Sequence, residues 1–258
     1  MLAKATIRGA DALILDLEDA VAFSRKDQAR EAALDMAATT ESHSEIWLRV
    51  NDGDLGERDL AAVVGAPGVA GVWLAKAEPG PWLDRALGRL REANTRVGLM
   101  IESARAVARL AEFPELGADT LMQIGEADLA ADLRSAGDRE QLSVYRSMVV
   151  LECAARGIAP PVAPVSVNVT DMVEFRDDSE RMANFGFRGR ACVHPAQVAV
   201  ANDVWGVSEQ DVARARGILA EFEAHTQSGV GVFRGTDGTM VDRATVRWAH
   251  EVLESYAR

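Results

Sequence analysis

Residues 12–21 read ALILDLEDAV, in which the run Ala12–Leu17 is apolar except for Asp16 and is followed at once by Glu18 and Asp19. Ala12 to Leu17 is short and almost without alternation, the pattern of a strand buried on both faces. Carboxylates that close such a strand are costly unless they reach solvent, a cation or a hydrogen-bond donor. Alone, the stretch is explained equally well by a strand end running into a helix start with Asp19 near it. The neighbouring segments decide between that reading and a functional rim.

Six further apolar runs resemble the first: EIWLRV (45–50), VAGVWLAK (69–76), RVGLMIES (96–103), TLMQIG (120–125), PVSVNV (164–169) and RACVHP (190–195). Segments with helical apolar spacing lie between them, among them RKDQAREAALDMAA, PWLDRALGRLREAN, ARAVARLAEFPEL and SVYRSMVVLECAARG. This alternation predicts parallel βα units in a TIM-type barrel. Seven strands are one short of closure, so the first strand is expected to be missing from this sequence or the barrel to be open at one seam. The alternation runs without a Pro/Gly/Ser-rich linker to about Val207, which predicts a barrel domain over 1–206 and a C-terminal extension over 207–258. In the extension, SEQDVARARGILAEFEAHTQ predicts an amphipathic helix with Ser208 as its N-cap. A hairpin around Asp237-Gly238 and a last helix follow, packed on this barrel or on a neighbouring subunit.

The chain has 258 residues and a net charge of −12, from 28 basic and 40 acidic side chains. An acidic surface argues against nucleic acid or an anionic membrane as partner. No apolar run is long enough to cross a bilayer, and the first residues lack a signal-peptide core, which predicts a cytoplasmic protein. Cys153 and Cys192 stand in no metal-type or redox-type spacing and are expected to be reduced thiols.

In a βα barrel the chemistry gathers at the carboxyl ends of the strands. The polar residues there are Asp16, Glu18 and Asp19; Arg49 and Asn51; Lys76 and Glu78; Glu102 and Ser103; Glu126 and Asp128; Asn168; and His194. Glu102 and Asp128, from successive strand ends, suit Mg²⁺ with water and substrate oxygens filling its other positions; a salt-bridge role is the alternative. Gly125 would let a ligand approach the backbone closely. Arg49 could clamp a carboxylate with its planar fork or pair with Glu18 or Asp19. Lys76 is more simply a salt-bridge partner than a Schiff-base amine. His194, before a proline, reads as structural, and His43, His225 and His250 suggest nothing.

The motifs GADALILDLEDAV, WLRVN, VGLMIESARAV, IGEADLAADL, NFGFRGRACVHPAQV and GTMVD resemble, in this order, those of the citrate lyase β-subunit-like family of CoA-ester lyases, within the phosphoenolpyruvate/pyruvate barrel superfamily. The resemblance implies a Mg²⁺-dependent carbon–carbon lyase acting on citryl-, malyl- or citramalyl-type thioesters carried by CoA or an acyl-carrier protein. It places Glu102 and Asp128 on the metal ligands and Arg49 on the keto-acid carboxylate. Glu102 and Gly125 then line the substrate site, and Glu18 and Asp19 stand behind the metal. Asp242 falls on an acid that some relatives lend to a neighbouring subunit, which implies a homo-oligomer, a trimer or a dimer of trimers. The resemblance implies an additional first strand, which is expected to be missing from this sequence. Type II pyruvate aldolase, malyl-CoA-type thioesterase and a non-catalytic acyl-CoA-binding paralogue are the rival readings.

Overall fold

The structure is a computed structural model and describes residues 9–41, 43–227, 232–236 and 238–256. Strands β1 (Ala12–Asp16), β2 (Glu45–Val50), β3 (Val69–Leu74), β4 (Arg96–Ile101) and β5 (Leu121–Ile124) pair in chain order, every neighbour parallel, and curl into a half-barrel. Between and after them come α1 (Lys26–Thr39), α2 (Gly53–Val63), α3 (Pro81–Glu92), α4 (Ala104–Ala108), α5 (Glu126–Asp132), α6 (Arg139–Arg156), α7 (Met172–Phe185) and α8 (Pro195–Trp205). Leu48, Val50, Val72, Leu74, Leu99 and Ile101 are fully buried in the main core, together with Leu60, Leu83 and Leu90 from the helices. The alternate residues turn inward. That division of each strand into two faces follows from the period-2 geometry of extended chain.

The inward face has an apolar floor. Trp47, Trp73 and Met100 form a buried cluster of their own. Each tryptophan stands opposite a glycine of the next strand, Trp47 on Gly71 and Trp73 on Gly98. A Cβ at Gly71 or Gly98 would lie 2.4 or 2.3 Å from the indole ring, so both large rings fit only because these residues lack one. One layer toward the carboxyl ends, Arg49 sits in register between Asp16 and Trp73.

The two last expected strands do not form. The isolated parallel bridges nearby, Gln123 with Val162 and Ala163 with Arg190, lie just ahead of 164–169 and at the first residue of 190–195. Pro164 has no N–H to give a ladder, and the Asn168 side chain takes the N–H groups of Thr170 and Asp171 at 3.2 and 3.0 Å. The segment read as one helix from Ala104 to Leu116 is the short α4 followed by a single 3-10 turn over Leu110–Glu112.

The chain divides into two compact units, residues 1–204 and 205–258. In the second, α9 (Glu209–Gln227) opens on a capping box in which Ser208 Oγ accepts the Asp211 N–H at 3.0 Å. The antiparallel pair β6 (Phe233–Arg234) and β7 (Met240–Val241) leads into α10 (Arg243–Tyr256). Ala215, Ile218, Val241 and Ala249 form this unit's core. Gly238 adopts a φ of 82°, as a hairpin turn requires, while Asp237 lies outside the described residues.

Candidate active site

The carboxyl ends of β1 to β5 open into a cavity of about 920 Å³ whose lining includes Asp16, Asp19, Arg49, Glu102, Gly125 and Asp128. Arg49 donates two parallel bonds to Asp16, Nε to Oδ1 at 2.7 Å and Nη2 to Oδ2 at 2.6 Å, with Glu18 Oε2 3.7 Å from Nη2. The first-choice partner of Arg49 is therefore Asp16 rather than Glu18 or Asp19. Burial raises the Asp16 carboxyl, but the Arg49 fork and the Glu18 and Ala20 N–H groups outweigh it and hold the group below its ordinary range. The bond to Asp16 likewise keeps the Arg49 guanidinium charged. Asp16 takes two of the five guanidinium N–H donors and leaves the others for a second anion.

Glu18 and Glu102 are both only 4% exposed, and Lys76 links them. Its ammonium donates to Glu18 Oε1 at 2.6 Å, and its backbone N–H donates to Glu102 Oε1 at 2.6 Å. Lys76 has a φ of 49°, the left-handed region that a non-glycine residue rarely adopts, at the turn where these two bonds are made. The bond to Glu18 holds the lysine above its usual range. Glu102 moves the other way from a normal carboxylate. Burial, with Asp128 and Glu18 adding like charge, pushes its carboxyl up to about 7. Gly125 makes room for it, because a Cβ there would lie 2.5 Å from Glu102 Cβ and Oε2. The clearance expected to serve a ligand serves this side chain. Asp128 is exposed in the first turn of α5.

The strand end is held from behind by Asn51 together with Lys26, Asp59 and Arg30, three residues that the sequence did not single out. Lys26, the first residue of α1, donates to the carbonyls of Leu17 at 2.8 Å and Glu18 at 2.7 Å and to Asn51 Oδ1 at 2.7 Å. Asn51 points away from the cavity, toward Leu17 O at 2.9 Å and the buried Asp59 at 2.6 Å. Asp59 in turn receives Arg30 Nε at 2.8 Å. No spacing rule links a lysine to carbonyls eight and nine residues earlier; only the folded β1–α1 connection brings them together.

The remaining rim candidates have structural partners. Ser103 caps α4 and donates to Glu78 at 2.6 Å. His194 Nδ1 accepts the Ala196 N–H at 3.2 Å in a local turn. Glu126 is paired with the buried Arg146. Gln197, fully buried, accepts from the Val193 and His194 N–H groups and donates to the carbonyls of Ser166 and Asn168 at 3.0 and 2.9 Å. Arg190 is likewise consumed by Asp178, Ser179 and the Pro164 carbonyl. Asp242, in the second unit, caps α10, its Oδ1 accepting the N–H groups of Ala244 and Thr245 at 2.9 Å. The Thr245 N–H and hydroxyl hold its carboxyl below the usual range. Burial pushes the Cys192 thiol, on the cavity wall, up to about 11.

Among the described residues no group of three or more His, Cys, Asp or Glu side chains forms a metal cage. The pair Glu102 and Asp128 nonetheless fits a hard cation that keeps water. A buried carboxyl raised by like charge is stabilised as an anion when a cation arrives.

Residues 1–195 match the model of the HpcH/HpaI aldolase/citrate lyase family, and residues 166–257 match that of the C–C bond lyases of the TIM-barrel fold. A citrate lyase subunit beta-like protein of Deinococcus radiodurans is 31% identical, over 100% of this chain and 93% of the relative. An L-malyl-CoA/beta-methylmalyl-CoA lyase of Cereibacter sphaeroides is 29% identical, over 97% of this chain and 88% of its own length. The structure of CitE from Mycobacterium tuberculosis in complex with magnesium, acetoacetate and coenzyme A superposes with a TM-score of 0.77 at 29% identity, covering 99% of this chain and 93% of that one. None of the described helices is long and apolar enough to cross a membrane. The chain belongs to the HpcH/HpaI aldolase/citrate lyase family, a family of carbon–carbon lyases.

Proposed function

We propose that the protein is a Mg²⁺-dependent lyase that cleaves a 3-hydroxyacyl thioester to a keto acid and a shorter acyl thioester. One observation carries the reading: Arg49, Glu102 and Asp128 face a single cavity at the carboxyl ends of the barrel strands. Glu102 and Asp128 would hold the metal. When bound, Mg²⁺ supplies Lewis-acid stabilisation of the substrate's hydroxyl and carboxylate oxygens. Arg49, fixed by Asp16, would bind the same carboxylate through its remaining N–H donors and align it. Loss of the hydroxyl proton to solvent base turns that C–O bond into the carbonyl of the keto acid. The electron pair of the breaking carbon–carbon bond passes into the thioester as an enolate, and a proton delivered to the enolate carbon completes the acyl thioester. Asp242 is the proposed group for that last proton, in an oligomer whose C-terminal extension (207–258) reaches a neighbouring barrel (1–206). The CoA or acyl-carrier thioester is the proposed partner.

A (3S)-malyl-CoA thioesterase of Cereibacter sphaeroides is 30% identical over 98% of this chain, which supports hydrolysis of the thioester as a second reading. Purified protein incubated with Mg²⁺ and malyl-, citramalyl- or citryl-CoA tests both. Keto acid plus acetyl-CoA is the expected product, the intact hydroxy acid (malate, citramalate or citrate) plus free CoA identifies the hydrolase, and neither product with any substrate overturns the proposal.

A further inference from the structure

The four arginines that line the cavity are all clamped by carboxylates of the same chain. Arg49 is held by Asp16 and Arg146 by Glu126. Arg139 is held by Glu174 and Arg190 by Asp178. The lining as a whole carries seven Asp and Glu side chains against those four guanidiniums. Even with a divalent cation on Glu102 and Asp128, the wall remains net negative. Arg146 Nη1 has no hydrogen-bond partner among the described residues, but it is sealed from solvent in a side chain only 4% exposed.

Beneath Arg49 and Glu102 the surface is apolar. Trp73 and Met100, members of the floor cluster, line the cavity together with Ile14. Trp73 is the direct register neighbour of Arg49, and Met100 is two residues before Glu102 on the same inward face.

On the reading of the site proposed above, one substrate carboxylate goes to the cation and Arg49. We infer that the carbinol carbon of the substrate carries hydrogen or methyl as its other substituent, and not a second carboxylate arm. The enzyme would then act on malyl- or citramalyl-type thioesters, which give glyoxylate or pyruvate, and discriminate against citryl thioesters, which give oxaloacetate. Two physical terms favour this. A second carboxylate would be repelled by the negative wall, and placing it over Trp73 and Met100 would strip its hydration without a partner. A methyl group on the same surface gains apolar contact instead.

Titration calorimetry of the intact protein at saturating Mg²⁺, with glyoxylate, pyruvate and oxaloacetate in turn, tests the inference. Pyruvate or glyoxylate is expected to bind at least tenfold more tightly than oxaloacetate. The gap is expected to narrow as salt is raised from low ionic strength to about 0.5 M, because screening weakens the repulsion. The specificity constant for citramalyl- or malyl-CoA should exceed that for citryl-CoA by the same factor or more. Oxaloacetate binding as tightly as pyruvate, or more tightly, overturns the inference while leaving the keto-acid site intact. If none of the three binds in the presence of Mg²⁺, the keto-acid site itself is refuted and the inference falls with it.

Discussion

At Gly125 a single methyl group would land 2.5 Å from the carboxylate oxygen proposed to hold the cation. The other oxygen of the same carboxylate, Oε1, accepts the Lys76 N–H at 2.6 Å, so turning the group away from a Cβ at Gly125 strains that bond. Gly125→Ala is therefore expected to weaken Mg²⁺ affinity at least tenfold while leaving the circular-dichroism spectrum unchanged. Direct titration with Mg²⁺ checks this, and wild-type affinity would show that Glu102 is not a ligand. Protonation of Glu102 offers a second handle. Its carboxyl, ordinarily at 4.5, is raised to about 7, so between these values the folded metal-free chain holds a proton that the unfolded chain has lost. The sign follows: this group's contribution to stability falls as pH rises through that window, and Mg²⁺, which competes with the proton, binds more tightly. Affinity measured from pH 5.5 to 8 should rise by up to tenfold per unit and level off above about 7, and a flat profile would contradict the assignment. Arg49 completes the residue scale. Arg49→Lys should lose nearly as much kcat/KM as Arg49→Ala, because an ammonium cannot bind Asp16 side-on and a substrate carboxylate end-on together. The positions of Arg49, Glu102 and Asp128 were legible in the sequence because period and strand length place residues at a rim. Which carboxylate Arg49 would choose was not, since Asp16, Glu18 and Asp19 all lie within its reach in sequence terms.

Among the elements, the segments 164–169 and 190–195 show where local pattern loses to hydrogen-bond supply. Both read as strand, yet Pro164 and Pro195 bring no N–H, the Asn168 N–H goes to Ser166 Oγ, and Gln197 takes the Val193 and His194 N–H groups. Its amide makes four bonds across both segments from a fully buried position. Gln197→Ala would strand two backbone carbonyls and two N–H groups, at a cost of about 3 kcal/mol. Such a loss should lower Tm by roughly 6–12 °C in a unit of this size. Gln197→Glu should be worse than its near-identical shape suggests, because a carboxylate faces the Ser166 and Asn168 carbonyls. A thermal melt of both variants decides whether this one side chain joins the segments. The motif holding Gln197 was visible in the sequence as a family signature, while its task was invisible, because its partners lie some thirty residues upstream.

On the scale of the whole molecule, Asp242 separates chemistry from architecture. It belongs to the second compact unit, whose own core binds α9, the hairpin and α10 together, whereas the cavity with Glu102 belongs to the first. In the proposed oligomer, one copy lends Asp242 to the barrel of the next, a head-to-tail arrangement that closes into a ring. Asp242 also caps α10, so loss of activity on its removal could come from a frayed helix alone. Asparagine resolves this, because it caps a helix about as well as aspartate but carries no proton to transfer. Asp242→Asn should therefore melt like the wild type and lose most of its turnover, whereas Asp242→Ala should lose both. Mixing inactive Glu102→Gln and Asp242→Asn proteins, and letting subunits exchange, should restore about a quarter of wild-type activity, since random pairing leaves that share of shared sites intact. Light scattering must show a trimer or a dimer of trimers in the same samples. A monomer, or full subunit exchange without recovery, would return Asp242 to its capping role and leave each barrel to complete its own site.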